Sequence, residues 1–233
     1  MGDLHMAARS RSNAEPRVPL SRERVLRAAV AVADEHGIEA LSMRKLGEEL
    51  GVEAMSLYNH VANKEEILSG MVDFVVDEID LSSAETGWQA AMRQRALSAR
   101  EVLLRHPWAS GLIESRASMT PTMMRYMDST IGIFLAGGFS IGMTHHAMHA
   151  VGSRILGCTQ ELFNESDDLS GNPEAAAVML QQMTAECPNI SAMMKEITHH
   201  GKSVVGQGCD DQAEFEFALD LILDGLERLR KTA

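Results

Sequence analysis

Three histidines fall within five positions of one another in "THHAMH": His145, His146 and His149. Imidazole is a common metal ligand, and on a helix residues 145 and 149 share a face at i, i+4 spacing. A hydrolytic zinc helix of the H-E-x-x-H type also needs a carboxylate, and none sits at that spacing here. Without it, the outer pair is equally suited to line a pocket or an interface, so no metal is expected. No nucleophile–base pair appears elsewhere, and no enzyme activity is expected. A second set of residues is suited to binding. Ser56 and Asn59 can bond base edges, Met55 can touch a thymine methyl, and Tyr58 and His60 are placed to meet phosphates.

These residues need a frame. Ser21 is a good N-cap for "SRERVLRAAVAVADEHG", whose Val25, Leu26, Ala29, Val32 and Ala33 form an apolar stripe ending at Gly37. A short second helix follows Ser42, buries Leu46 and Leu50, and stops at Gly51. A third runs from about Glu53 to His60, with Leu57 and Val61 inward and Ala54, Met55, Ser56, Tyr58 and Asn59 directed to solvent. Asn63 and Glu66 have capping-box spacing for a fourth helix. Helices two and three, joined through Gly51-Val52, have helix-turn-helix proportions. Small residues at the start of the third helix let that end sit deep in a major groove. Arg44 can reach a phosphate or a guanine, and Lys64 adds a phosphate contact at an amide-rich helix start.

Further along, helices are predicted at about 88–105, around 108–116, at 121–136, at about 140–163, from Pro173, and over "DQAEFEFALDLILDGLERLR". No stretch alternates as a strand does, so the class is all-α: a three-helix head and a larger helical body. The predicted boundaries are a basic arm at 1–19, a head at 20–67 and a body at 68–233; residues 1–5 read as a cloning remnant. The body offers polar candidates for a ligand in His146, His149, Ser153 and Glu161, and apolar walls in Trp108, Met123 and Met127. Ordinary core or dimer contacts account for each of them equally well. Sixteen methionines suit either a pocket that adapts to its guest or plain core filling.

The formal charge of −12 argues against nucleic acid only if it is spread evenly. It is not. Residues 1–63 hold 8 Lys and Arg against 9 Asp and Glu, whereas the remainder holds 13 against 24. Between Ala7 and Val30 there are six arginines and two glutamates. The acidity belongs to the body, and the field at the contact face decides binding. Three cysteines without a C-x-x-C pair argue against a disulfide framework or zinc site and for a reducing cytosol. The longest apolar run, "IGIFLAGGFSIGM", is too short to span a bilayer.

"LSMRKLGEELGVEAMSLYNHVANKEEIL" resembles the DNA-binding head of the tetracycline repressor (TetR) family. "GFSIGMTHHAMHAVGSRILGCTQE" and "FEFALDLILDGLERL" are similar to the regulatory domain of the tetracycline repressor itself. The resemblance implies a ligand-responsive repressor that binds a palindromic operator as a homodimer and is released by a small-molecule effector. It implies DNA contacts at Ser42, Met43, Arg44, Ala54, Met55, Ser56, Tyr58, Asn59, His60 and Lys64. It implies a four-helix dimer bundle from the helix at 140–163 and the last helix. Ala54 and Asn59 depart from the prototype's base-reading residues, so a different operator is expected. Ser153 stands where the prototype has a histidine, and Leu112–Pro121 has diverged, so tetracycline is not the expected effector; its identity stays open. No cofactor is expected, the partners are duplex DNA, a second copy and the effector, and the place is the bacterial cytoplasm.

Overall fold

The computed structural model describes residues 19–81, 87–116, 119–157, 184–192 and 211–232. Among them the chain is helical, with no strand. The head comprises α1 (Arg22–His36), a 3₁₀ turn (Ile38–Ala40), α2 (Met43–Leu50) and α3 (Ala54–Leu57). Helix α4 (Lys64–Asp77) leads into the body: α5 (Trp88–Arg105), α6 (Ala109–Ser115), α7 (Pro121–Ala136), α8 (Ile141–Leu156) and α9 (Asp211–Thr232). Residues 184–186 and 188–192 are also helical, and Cys187 separates them. The helix predicted from Pro173, the 158–163 end of the helix expected to follow Ser140, and Glu161 with it, lie outside the described residues.

Side-chain caps set the starts of α1, α2, α4, α7 and α8. The hydroxyl of Ser21 accepts from the Arg24 N–H, and that of Ser42 from the Lys45 N–H, at 3.2 and 3.1 Å. Asn63 Oδ1 accepts from the Glu66 N–H at 2.9 Å. The Glu66 carboxylate reaches back to the Ala62 N–H at 2.7 Å, one residue beyond the box partner, Asn63, that the sequence suggests. That N–H, and then Arg22, hold the Glu66 carboxyl below its ordinary range. Thr120 and Ser140 cap α7 and α8 in the same way.

The α2–α3 corner depends on two glycines. Gly51 takes a left-handed φ of 66°, which ends α2 without the Cβ penalty other residues meet. Gly47 is needed for space: a Cβ there would lie 2.8 Å from the Val52 carbonyl oxygen and 3.1 Å from the Ala54 nitrogen. The two backbones touch, so α3 starts directly on α2. Regular α-bonding in α3 ends at Leu57, earlier than the sequence suggests. Tyr58, Asn59 and His60 instead donate to the carbonyls three residues back, at 3.3, 3.3 and 2.9 Å. This tighter winding brings Val61 into the core and lets the chain enter α4 at Asn63.

The core is continuous across the joint between head and body. Leu46, Leu57, Ile67, Met71 and Val75 belong to one buried cluster with Val102, Leu103 and Trp108. Helix α4 spans the 67/68 position at which the sequence suggests dividing the chain, and it packs against α1, α5, α6 and α7. A second cluster holds the body together, with Trp88, Phe134 and Phe139 mutually in ring contact above Leu219 and Leu223 of α9. Burying each such large apolar side chain contributes roughly 1.5–3 kcal/mol. No helix among the described residues is long and apolar enough to cross a membrane.

Candidate nucleic-acid interface and internal cavity

Helix α3 is held from one side only. Leu57 is fully buried and Val61 nearly so, and together they pin the inner face. The outer face is open: Met55 is 73% exposed and Tyr58 45%, and Asn59 is exposed as well. Ser56 is half-buried, its hydroxyl donating to the Glu53 carbonyl at 2.6 Å; its oxygen lone pairs remain available to an incoming donor. Ala54 and His60 are half-buried beside them. On the flank, Ser42 and Arg44 are exposed and Met43 is half-buried. Arg44 is only loosely paired with Glu48, at 3.8 Å on the surface, an attraction small enough for a phosphate to replace. Lys64 is exposed at the first position of α4, where free backbone N–H groups and the helix dipole also favour an anion. None of the ten residues singled out for DNA contact is buried.

The body holds a cavity of about 300 Å³ between α4, α5, α7 and α8, open on the side of exposed Met119. Its wall is mostly apolar and rich in methionine: Met92, Met119, Met123, Met127 and Met148. Long unbranched thioether side chains let such a wall reshape at low cost. Helix α7 contributes Met123, Tyr126, Met127, Thr130 and Phe134, a stripe with helical spacing. The polar wall residues are Arg116, Thr120, Tyr126 and Thr130. Burial pushes the Tyr126 phenol above its ordinary range. Behind the wall, buried Arg95 donates to Ser129 and Thr130 at 3.0 and 2.8 Å, and burial lowers its pKa.

Of the residues selected from sequence as ligand contacts, Met123 and Met127 line this cavity, and four others stand elsewhere. Trp108 is buried in the joint between head and body. Its indole N–H donates to Asp34 of α1 at 2.7 Å, and the ring of His106 meets the same carboxylate oxygen at 2.8 Å. It therefore ties α6 to the head. His146, His149 and Ser153 are exposed. Cavity-facing positions of α8 are Met148, Val151, Gly152, Ile155 and Leu156; at about 100° per residue, 146, 149 and 153 point away from them. His149 instead joins His145, Ile141 and Leu135 in a surface groove of about 360 Å³ between α7 and α8, and the rings of His145 and His149 meet at 4.6 Å. Among the described residues no three His, Cys, Asp or Glu side chains gather to hold a metal. Sequence reasoning missed Arg116, Thr120, Tyr126 and Thr130. The periodicity of α7 could have revealed Tyr126 and Thr130, but Arg116 lies past the end of α6, where no period applies.

The wall is also wired to α4. Arg116 donates through Nη2 to Glu65 at 2.7 Å and to Ser69 at 2.5 Å. The Thr120 hydroxyl donates to Asp73. Both links run from the cavity to the helix that begins at Lys64, which follows α3 and its turn in the chain.

Comparison with known proteins agrees with this arrangement. Residues 25–71 match the family described as bacterial regulatory proteins, tetR family, and residues 82–230 match the tetracyclin repressor-like C-terminal domain. The transcriptional repressor DrrR1 of Streptomyces coeruleorubidus is 30% identical over 218 residues, covering 92% of this chain and 80% of that protein. The class C tetracycline repressor protein of Escherichia coli is 27% identical over 216 residues, covering 91% and 93%. The structure of ActR from Streptomyces coelicolor in complex with actinorhodin superposes with a TM-score of 0.68 at 25% identity, covering 91% of this chain and 99% of that one. An exposed reading helix, a cavity wired to it through α4, and matches over both halves lead to one conclusion: this chain belongs to the tetR family of bacterial regulatory proteins.

Proposed function

We propose that the chain is a ligand-responsive repressor that binds a palindromic operator as a homodimer and leaves it when a small molecule fills the cavity. The observation that carries this reading is the pair of links from the cavity wall to α4, Arg116 to Glu65 and Ser69, and Thr120 to Asp73. A guest that moves this wall moves the helix on which the reading head is mounted. ActR binds its ligand within a similar fold, which supports the same use of the cavity here. The protein acts by binding and needs no catalytic step, in keeping with a cytoplasmic regulator.

The dimer reading rests on α8 and α9. Ile141 is 81% exposed, Phe217 64% and Leu221 56%, more apolar surface than a lone subunit has reason to present. Gly142 and Gly225 have open space where a Cβ would stand, which leaves room for another helix to approach closely. Two heads related by a twofold axis meet successive major grooves about 34–36 Å apart. Release from mostly bound to mostly free requires a guest to favour one state by about 5.5 kcal/mol.

Footprinting on DNA flanking the coding region tests this directly. A protected palindrome is expected. Tyr58→Ala should weaken operator and unrelated DNA alike, and Asn59→Ala should relax base preference by about 1–3 kcal/mol per lost bidentate contact. No protected site at low salt, or a monomer in analytical ultracentrifugation, overturns the proposal.

A further inference from the structure

The polar residues of the cavity wall are unequally engaged. Thr120 commits its hydroxyl proton to Asp73 and accepts from the Met123 N–H. Thr130 accepts from Arg95 and donates to the Tyr126 carbonyl. Arg116 is different. Its side chain is only 11% exposed, and both of its hydrogen bonds leave from the same nitrogen, Nη2. Its Nε is buried with no acceptor, and Nη1 has none among the described residues. A guanidinium carries five donors in a fixed fork, and leaving them unmatched in a sheltered site is costly. The paired carboxylate, Glu65, is 70% exposed, so solvent weakens its hold on the charge. No acidic residue is among the described residues that line the cavity. Among the described residues the chamber is thus a methionine-lined apolar space with a single formal charge on its wall, positive and short of acceptors.

We propose that the effector is an apolar molecule bearing one negatively charged group, such as a carboxylate, sulfonate or acidic phenol, and that Arg116 is the residue that selects for the charge. This rests on the reading of the cavity as the effector site and adds its chemical class. An apolar frame fills the space between Met92, Met123, Met127 and Phe134. Its anion meets Nε and Nη1, while Nη2 stays with Glu65 and Ser69. A cationic or purely neutral guest of the same shape leaves the guanidinium as it was and gains nothing from it.

The test uses two fluorescent probes with the same aromatic frame, 1-anilinonaphthalene-8-sulfonate and neutral N-phenyl-1-naphthylamine, titrated into the full chain. Wild type should bind the sulfonate about tenfold more tightly than the neutral probe, the value of one charge-assisted contact. Arg116→Gln should abolish that preference, weakening the sulfonate about tenfold more than the neutral probe; Arg116→Lys should retain part of it. Met123→Trp, which fills the cavity, should weaken both probes. A wild type without charge preference, or a preference that survives Arg116→Gln, overturns the anionic effector while leaving the cavity reading intact. The wild-type comparison decides even if Arg116→Gln does not fold. Binding of both probes unchanged by Met123→Trp instead places them outside the cavity and overturns its use as the guest site.

Discussion

Helix α3 and the α4–α8 cavity differ in how far along the chain their residues are drawn from. The reading surface uses a handful of residues between Ser42 and Lys64, most of them within one short helix and its turn. Two buried side chains, Leu57 and Val61, are enough to decide which way that helix faces. The cavity takes residues from Val72 to Leu156, on elements that meet only after the body has packed. The first surface is specified locally, so a local change alters it. The second is a gap left between packed helices, and its shape depends on all of them.

The largest expected effect breaks the body side of this contrast. Phe134 is fully buried, rests against Trp88 and Phe139, and lines the cavity. Phe134→Ala should cost about 3–5 kcal/mol of stability in urea unfolding and change probe affinity, while any protein that stays folded reads the operator with unaltered base preference. A changed preference would mean that the two regions are not separately specified.

Gly47→Ala sharpens the contrast from the other end. Its new Cβ would press on the backbone of Val52 and Ala54, which no rotamer change relieves. A cost of about 1–3 kcal/mol is expected, together with loss of operator binding in a gel shift and retention of probe binding in the cavity. If operator affinity is unchanged, α3 does not need its close seat on α2.

The smallest effect concerns what holds α9 to the body. Arg230, then Lys231 and the Trp88 indole, hold the Glu227 carboxyl down at about 2. Its folded pKa lies below its unfolded one, so the unfolded state binds more protons as pH falls. The stabilisation is complete above the ordinary carboxylate range, near 4.5, and fades as pH drops toward about 2. Thermal melts over that window should show the decline, and Glu227→Gln should flatten part of it without moving operator affinity at neutral pH. An identical acid slope in the variant would remove Glu227 from this account.

Much of the head was legible in the sequence because its signals are short-range. Ser21, Ser42 and Asn63 cap the helices they precede, and Gly37 and Gly51 end them. The spacing of Leu57 and Val61 turns Ser56 and Asn59 outward. Gly47 was not legible: a mid-helix glycine reads as a weak helix former, and only the backbone of Val52 and Ala54 against it explains its presence. In the body, helical periods found the elements but not their partners. Trp108 looks like a cavity wall until Asp34, 74 residues away, is seen to accept its N–H. The histidines of α8 look like ligand contacts until the helix is turned to show Met148 and Val151 facing inward.

By itself, then, the order of residues determined the helices of the head, most of their ends, and which of its residues face outward, because caps, glycines and apolar periods act over a turn or two. The packing of α4 through α8 decided where the cavity lies, which side chains line it, and how Arg116 and Thr120 join it to α4. Those depend on contacts between residues about 50 apart along the chain, as between Arg116 and Glu65, which no local period encodes.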